Sequence, residues 1–471
     1  MPFEDLRHFL DACEEIGELR VVNGADWDLE IGTLAELNYE RKGPCLLFDR
    51  IKGYPPGYRV AVNIQDTQTR ALLSVGLPIE LDGEAAEKAW SDKIGACRPV
   101  PPVEVQEGPI LQNVYYGDDV DLLKFPTPRW HENDGDARYL GTGCSVVLRD
   151  PDTDEIKLGC YRVQVHDRNT VGLYITPNKR GAIIRQKYWD RGLSCPVAVS
   201  IGHDPLVFLG GGGMLTRGGR QKDYGVLGYY KGSPYQVIRE EVTGLPIPAT
   251  AEIVIAGECP PPGVEAHDEG PFGEWTGYYA SDRRPEPVIR VKALYHRTDP
   301  IIFGCPPVKH GNSHFGLAPG PQATIERLKQ QGVEEVLDVY QLAKPGVLVV
   351  QVKQRYPGHA LKAGLALVGG YMGRFVVVVD EDINPRDPED VLWAIGTRCD
   401  PATTINVLNG TMGSALDPRI PPDKKARGDY TASQAVILAC KPYDWIDQFP
   451  KTNVASRELR AQVQEKWKEL I

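Results

Sequence analysis

Two glutamates in a stretch rich in glycine and proline are the residues of this chain with the clearest chemical potential. Glu269 and Glu274 lie within residues 265–279 and are separated by two glycines, a proline and a phenylalanine. That density of glycine and proline excludes a regular helix, so we expect a shaped loop that holds both carboxylates on one short piece of backbone. Two neighbouring carboxylates do not ionise together easily, which raises one pKa and provides a proton donor near neutral pH. The alternative is an acidic surface loop without chemistry.

Arg162 is the second candidate. It lies in the strand-like run 159–165, where the residues of its own parity are polar or small and the others are mostly apolar. An arginine that points inward from a β domain requires a carboxylate, either from the protein or from a ligand. A purely structural salt bridge is the alternative, and it loses weight when Arg162 is considered together with the acidic loop.

Four further side chains are candidates for a substrate pocket. Trp275 directly follows Glu274 and predicts either an aromatic pocket wall or an ordinary core tryptophan. His296, His310 and His314 follow the acidic loop and are candidates for contact with a polar group of a substrate. His310 and His314 have the spacing of a helical metal pair, but the glycine and asparagine between them oppose a helix, which favours a polar loop.

Four consecutive glycines at residues 210–213 suggest a phosphate-binding loop at first sight. The run lacks the Lys-Ser/Thr pair that follows such a loop, and it does not clearly begin a helix. We therefore interpret it as a flexible turn beside the site.

The composition excludes several classes of protein. Of the 471 residues, 42% are hydrophobic and 25% are charged, and the net charge is −11, which argues against nonspecific binding of nucleic acid. No apolar run of about 18 residues predicts a membrane span. The ten cysteines form no CxxC pair or zinc-type cluster, and the amino terminus has no secretion signal pattern, so we expect reduced thiols and a cytoplasmic protein.

The chain divides into segments with different periodicity, which predicts a mixed α/β (α+β) fold. Residues 1–115 alternate helical and strand patterns and predict a small α/β domain. Residues 116–314 carry short apolar or alternating runs and predict a mostly β domain that contains the acidic loop. Residues 315–455 alternate helix and strand again, as in a sheet with crossover helices. Residues 456–471 predict an amphipathic helix capped by Ser456.

Arg162, Glu269 and Glu274 belong to motifs that resemble the UbiD family of reversible decarboxylases. The matching segments follow the family order across nearly the whole chain: YR at 161–162, VHDRN at 165–169, LPIPATAEIV at 245–254, EGPFGE at 269–274, RYPGHA at 355–360, VDEDINPRD at 379–387 and WAIGTRCD at 393–400. The resemblance implies a three-part architecture. A central split-β-barrel domain binds prenylated FMN, and it is flanked by an amino-terminal α/β domain and a carboxy-terminal α/β domain that mediates oligomerisation.

The resemblance also implies a catalytic set of one arginine and two acids, which correspond here to Arg162, Glu269 and Glu274. We expect Arg162 to orient the substrate carboxylate or to hold the paired acid, and Glu274 to deliver the proton that replaces CO2. Glu269 would tune that proton and the cofactor. The modified flavin would act as the electron sink.

The chain departs from the family pattern at the metal that usually accompanies the cofactor phosphate. Family members commonly hold manganese through an Asn, a His and a Glu, and the corresponding positions here are Lys157, Asn178 or Lys179, and Gln236. All three metal ligands are thus replaced. We expect cofactor binding without the metal, with Lys157 and Lys179 neutralising the phosphate.

The sequence as a whole therefore predicts a UbiD-like carboxy-lyase for an aromatic, heteroaromatic or α,β-unsaturated acid, working with prenylated FMN. The expected partners are the small carboxylic acid substrate, a flavin prenyltransferase that supplies the cofactor, and further copies of the chain in a dimer or hexamer, with no nucleic acid and no membrane. The alternative is a non-catalytic or regulatory subunit of a larger aromatic carboxylase that has lost the cofactor site.

Overall fold

The computed structural model of the protein describes residues 3–177, 179–216, 223–309, 321–343, 346–369 and 373–468. Three strands of the amino-terminal region, β1, β2 and β3, form a four-stranded sheet with the later strand β17 (Ile301–Phe303), in the order β1-β2-β3-β17, and helices lie around it. Apolar residues at helical spacing bury one face of the first helix, and Asp5 caps it by accepting a bond from the His8 N–H. The elements of this region are α1 (Leu6–Glu15), β1 (Leu19–Asn23), α2 (Glu30–Glu40), β2 (Cys45–Asp49), β3 (Arg59–Val62), α3 (Gln68–Ser74) and α4 (Gly83–Gly95).

The central region contains a curled ten-stranded sheet. Its main path is β6-β9-β10-β16-β14-β11-β7-β8, and both β15 and β5 pair with the long strand β16. The elements are β4 (Val103–Glu104), β5 (Asn113–Tyr116), β6 (Arg138–Gly141), β7 (Ser145–Arg149), β8 (Ile156–Gly159), β9 (Arg162–Val165), β10 (Thr170–Tyr174), α5 (Arg180–Trp189), β11 (Cys195–Ile201), α6 (Pro205–Gly212), α7 (Tyr224–Lys231), β12 (Gln236–Arg239), β13 (Pro246–Pro248), β14 (Ile253–Cys259), β15 (Ala266–Glu269), β16 (Arg284–His296) and β17 (Ile301–Phe303).

The glycine run at residues 210–213 differs from the turn that we predicted. Its first three glycines are the last residues of α6, and Gly213 ends the helix in the left-handed conformation with φ +79°. Close packing explains the absence of side chains, because a Cβ on Gly210 would lie 2.6 Å from a Leu227 methyl and one on Gly211 would lie 2.9 Å from Cys160 Sγ. Burial against neighbouring elements therefore outweighs the low helix propensity of glycine.

His203 is a buried histidine beside the sheet, and it predicts acid sensitivity. It is fully buried after β11, its Nδ1 is 3.1 Å from Ser200 Oγ, and burial lowers its pKa to about 3. The unfolded chain takes up a proton near pH 6.5 but the folded chain does not, so stability falls as the pH drops below that value. At pH 5 this difference corresponds to about 2 kcal/mol. We expect His203→Asn to flatten the fall of the unfolding midpoint between pH 7 and pH 5, whereas His8→Asn on the exposed side of α1 should follow the parent.

The carboxy-terminal region contains a five-stranded sheet with the order β18-β19-β20-β22-β21. The neighbours β19, β20 and β22 run parallel, and β18 is antiparallel to β19. The elements are α8 (Gln322–Gln330), β18 (Val336–Ala343), β19 (Val347–Val352), α9 (His359–Leu365), β20 (Phe375–Asp380), α10 (Pro388–Arg398), α11 (Pro401–Thr404), β21 (Ile405–Met412), α12 (Pro422–Ala426), β22 (Thr431–Ala439) and α13 (Arg457–Lys466). Ser456 caps α13 as predicted, since its side chain accepts a bond from the Leu459 N–H.

The described chain divides into two compact units that are not continuous in sequence. The first unit comprises residues 1–323 and 412–432, and the second comprises residues 324–411 and 433–471. The first unit contains the amino-terminal sheet, the central sheet and a short excursion from the carboxy-terminal region. The mixed α/β fold class is confirmed. None of the helices in the described residues is both long enough and apolar enough to cross a membrane.

Candidate active site

Two neighbouring strands and one short strand bring the candidate residues together. Arg162 begins β9, which pairs with β10 so that Arg162 lies opposite Tyr174. Glu269 ends β15, which pairs with the first residues of β16. The Gly270 N–H donates to the side-chain oxygen of Gln164, 2.9 Å away, and fixes the end of β15 against β9. Because Arg162 and Gln164 share a face of β9, the backbone after Glu269 lies over the guanidinium.

The three predicted catalytic side chains form one buried ion cluster. Arg162 holds Glu269 through two parallel bonds, Nε to Oε1 at 2.7 Å and Nη2 to Oε2 at 2.6 Å. Its Nη1 donates to Glu274 Oε1 at 2.5 Å. The residues Arg162, Glu269 and Glu274 are 8%, 1% and 8% exposed. Arg162 therefore makes its bidentate hydrogen bond to a protein carboxylate. This supports the second of the two roles that we predicted for this arginine, which is to hold the paired acid.

One cation between two buried carboxylates leaves an excess of negative charge, and that excess favours a proton on Glu274. Burial raises the pKa of the Glu274 carboxyl above its ordinary value, Arg162 offsets part of the rise, and the Glu269 carboxylate adds to it. Burial alone would lower the pKa of Arg162, but the two carboxylates outweigh it and raise that pKa, so the guanidinium stays charged. Glu274 is thus the acid that can hold a proton.

Aromatic rings enclose the guanidinium. The Arg162 carbon Cζ lies 4.1 Å from the centre of the Tyr174 ring and 5.1 Å from that of Phe272. Phe272 packs edge-on against Tyr139, whose centroid is 4.5 Å away, and the Tyr139 hydroxyl donates to the Pro271 carbonyl oxygen. These rings exclude water and strengthen the charge interactions inside the cluster.

A tight turn presents Glu274. The Glu274 N–H donates to the Tyr278 carbonyl oxygen at 2.9 Å, and the Gly277 N–H donates back to the Glu274 carbonyl oxygen at 2.8 Å. The Tyr279 hydroxyl anchors this turn by donating to Asp134 at 2.8 Å. Trp275 follows on the same turn and is half-buried. The segment after Glu269 is thus a shaped loop, as the density of glycine and proline predicted, and its own backbone bonds hold it.

Sequence reasoning missed Lys425, which reaches the same turn from far along the chain. Its Nζ donates to the carbonyl oxygen of Ala280 at 3.0 Å, within the first unit. Burial lowers the pKa of Lys425, Asp417 and Glu274 oppose that change, and Arg284 adds to it. No local motif marks this lysine, because 145 residues separate the two partners. Tyr174 and Phe272 were missed as well. Phe272 lies within the acidic motif at residues 269–274, and Tyr174 lies on β10 directly opposite Arg162.

The predicted cofactor-binding positions belong to different secondary-structure elements. Lys157 is buried in β8, five residues before Arg162, with 5% of its surface exposed. Lys179 is exposed directly before α5. Gln236 is exposed at the start of β12, in the separate three-stranded sheet. Asn178 lies outside the described residues.

A cleft lies next to the strand that leads to Arg162. Phe208 and Cys305 line it, and the Cys160 thiol, two residues before Arg162, donates to the Phe208 carbonyl oxygen at 3.3 Å. A lysine side chain is chemically suited to a phosphate, so the buried Lys157 fits the phosphate end of a flavin mononucleotide. The remaining lining residues are Ala35, Tyr39, Asn63, Ile64, Gln65, Asp66, Phe303, Gly304, Pro306 and Val308.

His296 is not brought to the carboxylates. It is 3% exposed at the last residue of β16, whereas Arg284 at the first residue of that strand pairs with Glu269. The His296 ring stacks on Tyr115 with centroids 5.7 Å apart, and its Nε2 lies 3.0 Å from Lys124 Nζ. This packing corresponds to a core histidine and not to the substrate contact that we predicted. His310 and His314 lie outside the described residues.

Within the described ranges, no three His, Cys, Asp or Glu side chains come together in a way that could hold a metal ion. The replacement of the family metal ligands therefore stays a prediction, with one of its positions, Asn178, outside those ranges. All ten cysteines are free thiols.

Three family models match consecutive parts of the chain. They describe the amino-terminal, Rift-related and carboxy-terminal domains of 3-octaprenyl-4-hydroxybenzoate carboxy-lyase and match residues 10–89, 102–310 and 316–439. The chain is 29% identical to pyrrole-2-carboxylic acid decarboxylase from Pseudomonas aeruginosa, over 98% of this chain and 97% of that protein. It is 30% identical to phenolic acid decarboxylase from a Streptomyces species, over 90% of each.

The fold agrees with these matches. The UbiD-class enzyme HmfF from Pelotomaculum thermopropionicum, solved in complex with FMN, superposes with a TM-score of 0.80 at 26% identity, covering 97% of this chain and 98% of HmfF. An evolved dimeric form of HmfF in complex with prFMN superposes with a TM-score of 0.77 at 25% identity and the same coverage. The three domain matches, the two decarboxylase relatives and the shared fold lead to one conclusion: the chain belongs to the UbiD family of carboxy-lyases.

Proposed function

We propose that this carboxy-lyase is a reversible, non-oxidative decarboxylase of an aromatic, heteroaromatic or α,β-unsaturated acid that works with prenylated FMN. The observation that carries the proposal is the buried cluster of Arg162, Glu269 and Glu274, in which one acid is biased towards its protonated form. The relatives named as decarboxylases of pyrrole-2-carboxylic acid and phenolic acids support the substrate class.

Each side chain of the cluster has one role in this chemistry. Loss of CO2 breaks a carbon–carbon bond and leaves an electron pair on the substrate, which prenylated FMN would accept when bound. Glu274 then delivers its proton to the carbon that carried the carboxyl group. Glu269 keeps that proton on Glu274 in the resting state through its own negative charge, and Arg162 holds the two carboxylates in register. In carboxylation, Glu274 takes the proton back.

Aromatic neighbours of the cluster suit a flat substrate. Tyr174 and Phe272 enclose the guanidinium, and the half-buried Trp275 follows the proton donor on the same turn. Flat π-systems stack favourably on such rings, and a water-poor site favours the neutralisation of a carboxylate. We infer that the acid carries its carboxyl group directly on an unsaturated or aromatic carbon.

Lys157 would hold the cofactor phosphate. The further candidates for this role are Lys179, Gln236 and Asn178. We expect Lys157→Met to reduce the flavin that copurifies with the protein by at least about tenfold, since a buried cation that meets a phosphate is replaced by a neutral chain of similar length. The measurement is the flavin absorbance per protein after gel filtration. Lys292→Met, at a half-exposed lysine paired with Glu258, is the matched control. Equal flavin content in the parent and both variants would contradict the role of Lys157.

The test of the proposed function is reconstitution. The protein is co-expressed with a flavin prenyltransferase, its cofactor is identified by absorption and mass, its manganese content is measured, and CO2 release is followed with pyrrole, phenolic and acrylic acids. We expect prenylated FMN, less than stoichiometric manganese and turnover of at least one acid. A protein that carries no flavin and releases no CO2 would be a non-catalytic subunit. Stoichiometric manganese would show that the metal ligands lie elsewhere.

A further inference from the structure

Two histidines lie on the outer side of the carboxylate cluster and have no part in the chemistry above. His166 directly follows β9, and His267 lies on β15 two residues before Glu269. Their rings contact each other with centroids 5.0 Å apart and an angle of 58° between the planes. Because β15 alternates its side chains, His267 and Glu269 share one face of that strand.

Gly172 shows how closely His166 approaches the cluster. A Cβ at Gly172 would lie 2.8 Å from His166 Nε2 and 3.3 Å from Glu269 Cγ, so the imidazole nitrogen and the carboxylate side chain border the same point. His166 Nε2 is buried and has no hydrogen-bond partner among the described residues. A buried polar atom without a partner is costly and points to a role that the resting structure does not display.

The outer end of the histidine pair reaches solvent. The His267 side chain is 37% exposed, and its Nε2 lies 3.2 Å from Glu265 Oε1. Glu265 also bonds Arg290. The series Glu269, His166, His267 and Glu265 therefore leads from a carboxylate that is 1% exposed to the protein surface.

The charges around His166 keep its ring neutral at ordinary pH. Burial lowers the pKa of His166 to about 4, and His267 and Arg283 act in the same direction, whereas Asp167 and Asp136 oppose them. Arg283 and Asp136 also pair with each other at 2.9 Å. A neutral imidazole has one N–H and one free nitrogen, so it can accept a proton on one side while it releases one on the other.

We propose that His166 and His267 are the path by which the Glu269–Glu274 pair recovers its proton from solvent after each turnover. The inference rests on the proposed function, in which Glu274 loses one proton to the product each time. A proton from water enters at His267, the other nitrogen of His267 passes one to His166, and His166 Nε2 passes one to the carboxylate pair. Each imidazole ends in the protonation state in which it began, one proton has entered, and no electrons move. His166 and His267 are not assigned any contact with the substrate, so they act only through the two acids.

The test separates the first turnover from those that follow. In His166→Gln and His267→Gln holoenzyme, Glu274 still carries its resting proton, so the first product should form at the parental rate. Later turnovers should be at least about 100-fold slower, at the lower edge of a general acid–base contribution. Rapid-mixing kinetics would show a burst of one product per site, and added imidazole should restore the later turnovers. Gly172→Ala should reproduce the effect, because its methyl group would separate Nε2 from Glu269.

The outcomes are distinct. His8→Gln, on an exposed face of α1, should keep both phases and serves as the histidine control. Two results would contradict the path while the proposed function stands, provided that the parent releases CO2. In the first, the histidine variants show no burst. In the second, they slow the first product as much as the later products, and imidazole does not restore the rate. If the parent holoenzyme converts none of the acids, the proposed function itself fails, and the path falls with it.

Discussion

Replacing Glu274 with glutamine should abolish turnover while the fold and the cofactor content stay unchanged. The amide oxygen of glutamine can still accept the bond from Arg162 Nη1, so the geometry of the cluster is retained. The amide has no proton of suitable acidity to give, and general acid–base catalysis contributes about 10²–10⁴-fold in rate. The measurement is CO2 release by the holoenzyme at saturating acid, with the flavin spectrum and the unfolding midpoint as checks.

The comparison variants make the Glu274 result specific. Glu258→Gln removes a carboxylate from the same domain, at a half-exposed residue paired with Lys292, and should leave the rate unchanged. Glu274→Asp keeps an acid but shortens it by about one bond, so it should retain part of the activity. A Glu274→Gln enzyme that turns over at the parental rate would remove Glu274 from the mechanism.

Replacing Arg162 with methionine should be the most destabilising single change in the cluster. It leaves two carboxyl groups that are 1% and 8% exposed without their common cation. Removing one partner of a buried ion pair costs about 3–5 kcal/mol, because the remaining charge stays buried. Activity should be lost as well, since both acids lose their positions. The measurement is the urea midpoint together with CO2 release.

The Arg162 variant should also show a characteristic pH dependence. Without the guanidinium, burial raises the pKa of Glu274 in the folded state further above the unfolded value near 4.3. Groups with raised folded pKa values stabilise the protein at low pH and lose that contribution as the pH rises through the folded value. The deficit relative to the parent should therefore be smaller at pH 5 than at pH 8.

Two further variants test this explanation. Adding Glu269→Gln to Arg162→Met removes one of the buried charges and should recover part of the stability without recovering activity. Arg239→Met breaks a surface pair with Glu104 and should change the free energy of unfolding by no more than about 1 kcal/mol. A deficit for Arg162→Met that is equally large at both pH values would show that packing, and not charge, stabilises this arginine.

The sequence predicted the local features of the site well, because they depend on neighbours in the chain. The glycines and proline between the two glutamates predicted a shaped loop, and the parity of Arg162 in its strand predicted that it points inward towards a carboxylate. Both expectations agree with the bonds in the cluster. The family motifs added the three-part architecture, which the shared fold confirms.

Contacts between distant segments could not be predicted in this way. The pairing of β15 with β16 places Glu269 against Arg162, 107 residues away, and no local pattern contains that register. The bond from Lys425 to Ala280 and the close approach of His166 and Glu269 at Gly172 also join segments that are distant in the chain. His296 has a polar side chain and a suggestive position after the acidic loop, yet the length of β16 carries it into the core at the other end of the strand. Patterns of residue type identify faces and turns, whereas tertiary pairing decides which faces meet.

The excursion of residues 412–432 into the first unit bears on how this protein can be divided. A fragment that stops at residue 323 would lack Lys425 and its bond to the turn after Glu274. A chimera with a relative would therefore need junctions at three places, near residues 323, 411 and 432, to exchange the second unit intact. The carboxy-terminal part of the chain is therefore not one continuous appendage, because residues 412–432 belong to the unit that contains Arg162, Glu269 and Glu274.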